Sequence, residues 1–220
     1  PLIELCTPLI LPGLPELPAG SGSTQGELVD AQWYLCGAPL GPDGAQLLPG
    51  ASRELSALAR IHPRARLSTG ASFTAAAFTD ALRSGSPLHI ATHLLRNDAC
   101  DSTRLAPLAL QLSDGAPFCA TNVRDLAPRS ALVVLSTCES AEGDFVDAEG
   151  LLGLTRAFLE SGTKNLLVTL WPVEDGAAAR AAVLFHDALA RGSTPSRAAQ
   201  SMTTTLAAEG YPLADWSAYR

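Results

Sequence analysis

Two hydrophobic periods alternate along this chain, and each switch between them marks a strand or a helix. Trp33-Tyr34-Leu35-Cys36 is a short apolar run closed by Gly37-Ala38-Pro39, which predicts a first strand. Glu54, Leu55, Leu58, Ala59 and Ile61 follow helical spacing, with Ser52 in position to cap. Residues 66–68 fit a short strand. Residues 73–82 fit a second helix, with Phe73, Ala77, Phe78 and Leu82 on related faces. Residues 88–93, led in by Pro87, read as a strand, and residues 95–106 as a loop. Residues 108–112 and 118–121, parted by Ser113-Asp114-Gly115-Ala116, predict a hairpin. The run 131–136 is continuous and apolar, as a central parallel strand should be. A polar loop over 139–147, a helix over 149–159, a buried strand over 165–170 and helices over 175–190 and 195–208 complete the pattern.

Strands alternating with helices imply βαβ units and a mostly parallel sheet, an α/β fold. Ligands of such sheets bind beyond the carboxyl ends of the strands. The residues just past those ends are His93, Cys138 and the segment 172–175. Residues 1–30 are rich in Pro, Gly and Ser and predict an arm and linker, leaving 31–220 as the folded domain. The first residue is Pro1 rather than Met, which points to excision from a longer chain.

Composition narrows the function. Fifteen Lys and Arg against 22 Asp and Glu give a net charge of −7, unlike the basic face of a nucleic-acid binder. No apolar run approaches the roughly 20 residues that cross a bilayer, so no membrane contact is expected. Five cysteines (Cys6, Cys36, Cys100, Cys119 and Cys138) lie at wide spacings with no C-x-x-C pair. That pattern disfavours a zinc ribbon and points to a reducing, cytoplasmic setting. No signal peptide is legible at the start of the chain.

The candidate chemistry is nucleophilic. A cysteine attacks as thiolate, and an imidazole at the end of a neighbouring strand can take its proton. His93 and Cys138 are 45 positions apart and meet that need if their strands are adjacent. Backbone N–H groups near Cys138 would then serve an oxyanion. Against this, a cysteine at a strand end is often a small buried hydrophobe, and a histidine often a satisfied polar residue. His89 shares the strand face of His93. The stretch lacks the helix and the glutamate of H-E-x-x-H, so no metal is expected. G-x-S-x-G and the phosphate-binding loop G-x-x-x-x-G-K-[ST] are both absent.

Five segments carry a resemblance. They are Leu88-His89-Ile90-Ala91-Thr92-His93, the run from Val133 to Ser140, the helix from Glu149 to Leu159, the stretch from Gly162 to Asp175, and Trp216-Ser217-Ala218-Tyr219. In this order they resemble the CHAT-domain family, which is similar to caspases, separases and gingipains. The resemblance implies a three-layer caspase-like α/β sandwich with a mostly parallel sheet flanked by helices. It implies a thiol protease, a cysteine-type endopeptidase hydrolase needing no cofactor, with His93 as base and Cys138 as nucleophile. The backbone N–H groups of Leu94 and Cys138 are the implied oxyanion donors, with Leu94 standing where caspase-like sites usually have Gly.

The segment Trp171-Pro172-Val173-Glu174-Asp175 resembles a separase loop whose acid contacts a basic side chain. Asp175 is thus expected to bind Arg or Lys, Arg being favoured for its two-pronged geometry. Asp175 equally occupies a helix N-cap position. Asp147, Glu149 and Glu142 are alternative acids, and Trp171 is a pocket wall or a core residue. Many family members are bacterial and carry tetratricopeptide repeats, which implies an N-terminal repeat region or another regulatory partner beside a protein or peptide substrate. The alternative is an inactive scaffold or interaction module of the same fold.

Overall fold

A computed structural model describes residues 27–38, 40–41, 44–45, 48–100, 108–138 and 148–220. The side chains of Pro49, Thr137, Cys138 and residues 148–152 lie outside that description, as does the 139–147 loop.

Five parallel strands form the body of the sheet: β1 (Tyr34–Gly37), β2 (Arg66–Thr69), β3 (Leu88–Arg96), β6 (Val133–Cys138) and β7 (Leu166–Val168). Pairing puts them in the order β2, β1, β3, β6, β7. Two further strands, β4 (Leu108–Leu110) and β5 (Phe118–Cys119), form the expected hairpin. The hairpin joins the sheet antiparallel to residues 94–96 of β3. The apolar pattern ends that strand at His93, but it runs three residues further because the returning hairpin supplies new ladder partners.

Helices cover both faces. On one side α1 (Pro49–Ile61), α5 (Asp175–Ala190) and α6 (Pro195–Ala208) bury Leu55, Leu58, Phe185, Leu189 and Met202 against Leu35, Ala91, Val134 and Leu167. On the other, α2 (Ala75–Arg83), α3 (Ala120–Leu126) and α4 (Ala148–Glu160) bury Phe78, Leu82, Val123 and Phe158 against Ile90, Leu94, Val133 and Leu135. The result is the expected three-layer α/β sandwich. Alternate residues of each central strand feed one core or the other, so strands apolar throughout are buried on both faces. A short α7 (Leu213–Trp216) closes the described chain, and the strand-like tail caps the β7 edge, Val168 N–H donating to the Arg220 carbonyl at 2.8 Å.

Several local details differ from the sequence reading. Helix α1 starts at Pro49, not after Ser52, with Pro preset for the first turn. Residues 120–121 belong to α3 rather than to the hairpin. This seven-residue helix is too short to show a period, and it is held at its start by the Asn122 side chain accepting from Cys119 N–H at 2.7 Å. Cys100 and Cys119, 19 positions apart, form a disulfide, because the hairpin folds back over the exit of β3. Their wide spacing alone favours free thiols, and the fold overrides it.

Gly37 permits the approach of β1 to β3. A Cβ there would sit 1.9 Å from the Ala91 carbonyl oxygen, and its φ of +138° lies where side chains are strained. Among the described residues no helix is long and apolar enough to cross a membrane.

Candidate active site

Parallel pairing of β3 with β6 runs in register from Leu88–Val133 to His93–Cys138. The histidine and the cysteine therefore occupy the last rung of one ladder, at the carboxyl end of the sheet. Residues paired in register share a face. His93 is half-buried.

Backbone direction at this rung follows from three hydrogen bonds. Ala38 N–H donates to the Ala91 carbonyl at 2.8 Å, Gln111 N–H donates to the His93 carbonyl at 2.9 Å, and Leu88 N–H donates to the Leu132 carbonyl at 3.0 Å. Odd-numbered residues of β3 thus turn their backbone groups to β1 and the hairpin, and even-numbered ones to β6. The Leu94 N–H lies on the β6 edge and, in this register, faces the Cys138 carbonyl. The Leu94 side chain is buried in the α2/α3/α4 core.

Directly beneath the rung runs a buried polar chain. Glu54 of α1 meets His89 through Oε1 and Nε2 at 2.7 Å, and accepts from Ser136 Oγ at 3.2 Å through Oε2. His89 Nδ1 lies 3.0 Å from His186 Nε2, and His186 Nδ1 lies 2.9 Å from His62 Nε2. All three rings and Glu54 are buried. The spacing fits one proton per link, with each ring donating from Nε2 toward the carboxylate. Burial, reinforced by charge on His89, pushes His62 down to about 4, and the same causes with His62 hold His186 well below the ordinary histidine range. The chain ties β3 and β6 to α1 and α5 at positions four residues before His93 and two before Cys138.

Of these residues, only His89 stands out as a candidate in the sequence. Glu54 offers a signal there: a charged residue inside the apolar helical stripe with Leu55 and Leu58. His62 and His186 meet their partners only in the folded chain.

The other described cysteines are poor nucleophiles. Burial pushes the Cys36 thiol up to about 12, and Cys100 and Cys119 are joined. Cys6 lies outside the described residues.

Among the substrate-binding candidates, Glu174 rather than Asp175 caps α5, its carboxylate accepting from Ala177 N–H at 3.0 Å. Backbone hydrogen bonds from Gly176 and Ala177 lower its pKa. Asp175 is the first residue of that helix and is exposed, and its carboxylate lies against Gly50 at the start of α1, 2.8 Å from where a Cβ would be. Both helix starts lie at the carboxyl edge of the sheet. Trp171 is 39% exposed, and its Nε1 donates to the Ala214 carbonyl at 2.7 Å, so it is a surface ring fastened to α7 rather than a core residue. Glu149 lies in the first turn of α4, its side chain outside the described atoms, and Asp147 and Glu142 fall outside the described residues. Among the described residues no cluster of His, Cys, Asp and Glu is arranged to hold a metal.

A mostly parallel three-layer α/β domain with histidine and cysteine on one terminal rung defines the class. The profile of the CHAT domain matches residues 3–220, and the chain belongs to that family. Tetratricopeptide repeat protein 28 of Mus musculus is 42% identical over 73 residues, 33% of this chain. The same protein of Homo sapiens is 38% identical over 79 residues, 36% of this chain. Each match spans only 3% of the relative's length. Among solved structures, the Arg-specific cysteine proteinase gingipain R is similar with a TM-score of 0.47 and 14% identity, over 83% of this chain and 44% of that one. A complex of the pro- and mature domains of RgpB from Porphyromonas gingivalis gives 0.45 and 14% over the same shares.

Proposed function

We propose that this domain is a cysteine endopeptidase in which His93 activates Cys138 and substrates are cut after a basic residue, Arg in preference to Lys. The observation that carries the reading is the shared terminal rung of His93 and Cys138. In a parallel pair, partners in register are close enough for an imidazole to take a thiol proton, leaving a thiolate to attack the scissile carbonyl. The sulfur–carbon bond forms, the scissile C–N bond breaks as the proton held by His93 passes to the leaving amine, and water deprotonated by His93 then hydrolyses the thioester and frees Cys138.

Leu94 and Cys138 N–H groups stabilise the oxyanion as the last rung of the ladder opens, because in the closed ladder the Leu94 N–H faces a carbonyl. That requirement supports a domain restrained until a partner or an N-terminal region acts on it; the repeat-protein names of the two mammalian relatives favour a repeat region. Asp175 provides the acid for the basic side chain. It is exposed and released from capping duty by Glu174. Trp171 forms a wall of that pocket, and Asp147, Glu149 and Glu142 are the alternatives to Asp175 as its acid.

The second reading is a scaffold that keeps the fold without the chemistry, and the buried Leu94 after His93 favours it. A thiol-reactive peptide ending in Arg separates the two. Modification of Cys138 that is lost in His93→Ala supports the peptidase. Modification indifferent to His93 supports the scaffold.

A further inference from the structure

Gln111 follows β4 and pairs with His93. Its N–H donates to the His93 carbonyl at 2.9 Å, and its carbonyl accepts from Thr92 Oγ1 at 2.7 Å. The ladder proper ends at Leu94–Leu110, and the single Gln111 N–H to His93 carbonyl bond places Gln111 beside His93, one residue beyond it. Residues directly opposite in an antiparallel pair share a face, with Cα atoms about 5.5 Å apart in the hydrogen-bonded type. Leu94, Leu110 and Leu112 all enter the α2/α3/α4 core, so His93 and Gln111 both point to the other side. Gln111, His93 and Cys138 therefore form a row across β4, β3 and β6, with the histidine in the middle.

The side-chain carbonyl oxygen of Gln111 is buried and has no hydrogen-bond partner. A buried acceptor left unsatisfied is costly, so it calls for a partner that the closed chain does not supply. An imidazole has two ring nitrogens, and the one turned from the cysteine needs an acceptor to fix the tautomer and the ring plane.

We propose that Gln111 is the positioning residue of the site: its Oε1, unpaired in this structure, turns to accept from one ring N–H of His93 while the other ring nitrogen serves Cys138. The inference rests on the peptidase reading above. An amide suits this role because it orients the ring without a charge that would hold His93 permanently protonated. Cysteine sites elsewhere use an asparagine in the same way, so a neutral third member is sound chemistry.

The test is the rate at which iodoacetamide alkylates Cys138 in the full chain, followed by peptide mass spectrometry. Wild type is compared with His93→Ala, Gln111→Leu and Gln111→Glu, with thermal unfolding recorded for each. Gln111→Leu keeps the volume and removes the acceptor, and alkylation falls about tenfold or more; Gln111→Glu keeps an acceptor and holds alkylation near wild type, because the imidazolium it favours still stabilises the thiolate that alkylation reads. A second readout is independent of reactivity. In a Cys138→Ala chain, Gln111→Glu raises the His93 pKa, followed by NMR, by about one unit or more, because a carboxylate favours the imidazolium. If His93→Ala slows alkylation while both Gln111 variants leave the rate and the His93 pKa unchanged, the positioning role is overturned and the peptidase reading stands. If neither His93 nor Gln111 affects the rate, both fall together.

Discussion

Glu54 Oε1 and His89 Nε2 meet at 2.7 Å inside the interface between α1 and β3, where both side chains are buried. A buried carboxyl group needs hydrogen-bond partners close by, and His89 and Ser136 both serve it. Glu54→Ala leaves the buried His89 and the half-buried Ser136 without their partner. The expected cost is about 3–5 kcal/mol, a drop in Tm of about 10 °C for a domain of this size. Differential scanning calorimetry reads it directly, and a Tm within about 2 °C of wild type would mean that the polar chain does not hold β3 and β6 to the helical layer.

The same chain makes the fold sensitive to acid. His62 titrates at about 4 in the folded protein against 6.5 when unfolded. Between those values the unfolded chain binds the proton more readily, so stability is complete above pH 6.5 and is lost as pH falls toward 4. His186, also held low, adds in the same direction. The loss through His62 is on the order of 2–3 kcal/mol. Urea midpoints measured from about pH 7.5 to 4 should fall, and the fall should shrink in His62→Gln. An equal fall in both proteins would place the sensitivity elsewhere.

The Cys100–Cys119 disulfide closes a loop across 19 positions and ties the exit of β3 to the start of α3. Loop closure of that length stabilises by about 3 kcal/mol through the unfolded chain. Dithiothreitol, or a Cys100→Ser, Cys119→Ser double variant, should lower Tm by about 6–12 °C. No change on reduction would mean that the two thiols are not joined in solution.

Neighbouring acids at the start of α5 should behave differently. Glu174 caps the helix and Asp175 makes no cap hydrogen bond. Glu174→Ala therefore lowers Tm, while Asp175→Asn changes stability little, because an exposed side chain outside the cap contributes little. If Asp175 receives the basic side chain, its variant loses activity on Arg peptides at least about tenfold, mainly through KM. The reverse pattern, a stability loss with unchanged activity, would make Asp175 a helix-terminus charge only.

Much of this fold is legible along the chain, for reasons that particular elements make plain. The boundaries of α5 and α6 follow from Pro195, the apolar stripe and the polar turns around them. The strand that starts at Val133 shows through the apolar run from Ala131 to Leu135, whose residues are buried on both faces of the sheet. What the sequence hides depends on distant partners. The extension of β3 to Arg96 needs β4 across from it, and the brevity of α3 hides its period. The pairing of Cys100 with Cys119 depends on how the hairpin folds back. His93 and Cys138 stand out in sequence because both close strands, but their common rung is set by β3–β6 register. Gln111 is invisible for the same reason: its place beside His93 is set by the hairpin, and nothing in the run Leu108-Ala109-Leu110-Gln111-Leu112 marks it as part of a site.

The most direct measurement is hydrolysis of two fluorogenic peptides, one ending in Arg and one in Asp, by wild type and Cys138→Ala, with the N-terminal region or partner supplied if the isolated chain is silent. The account predicts cleavage after Arg by wild type, none after Asp, and none of either by the variant. Undiminished cleavage by Cys138→Ala would contradict the nucleophile, and cleavage after Asp alone would contradict the basic pocket at Asp175.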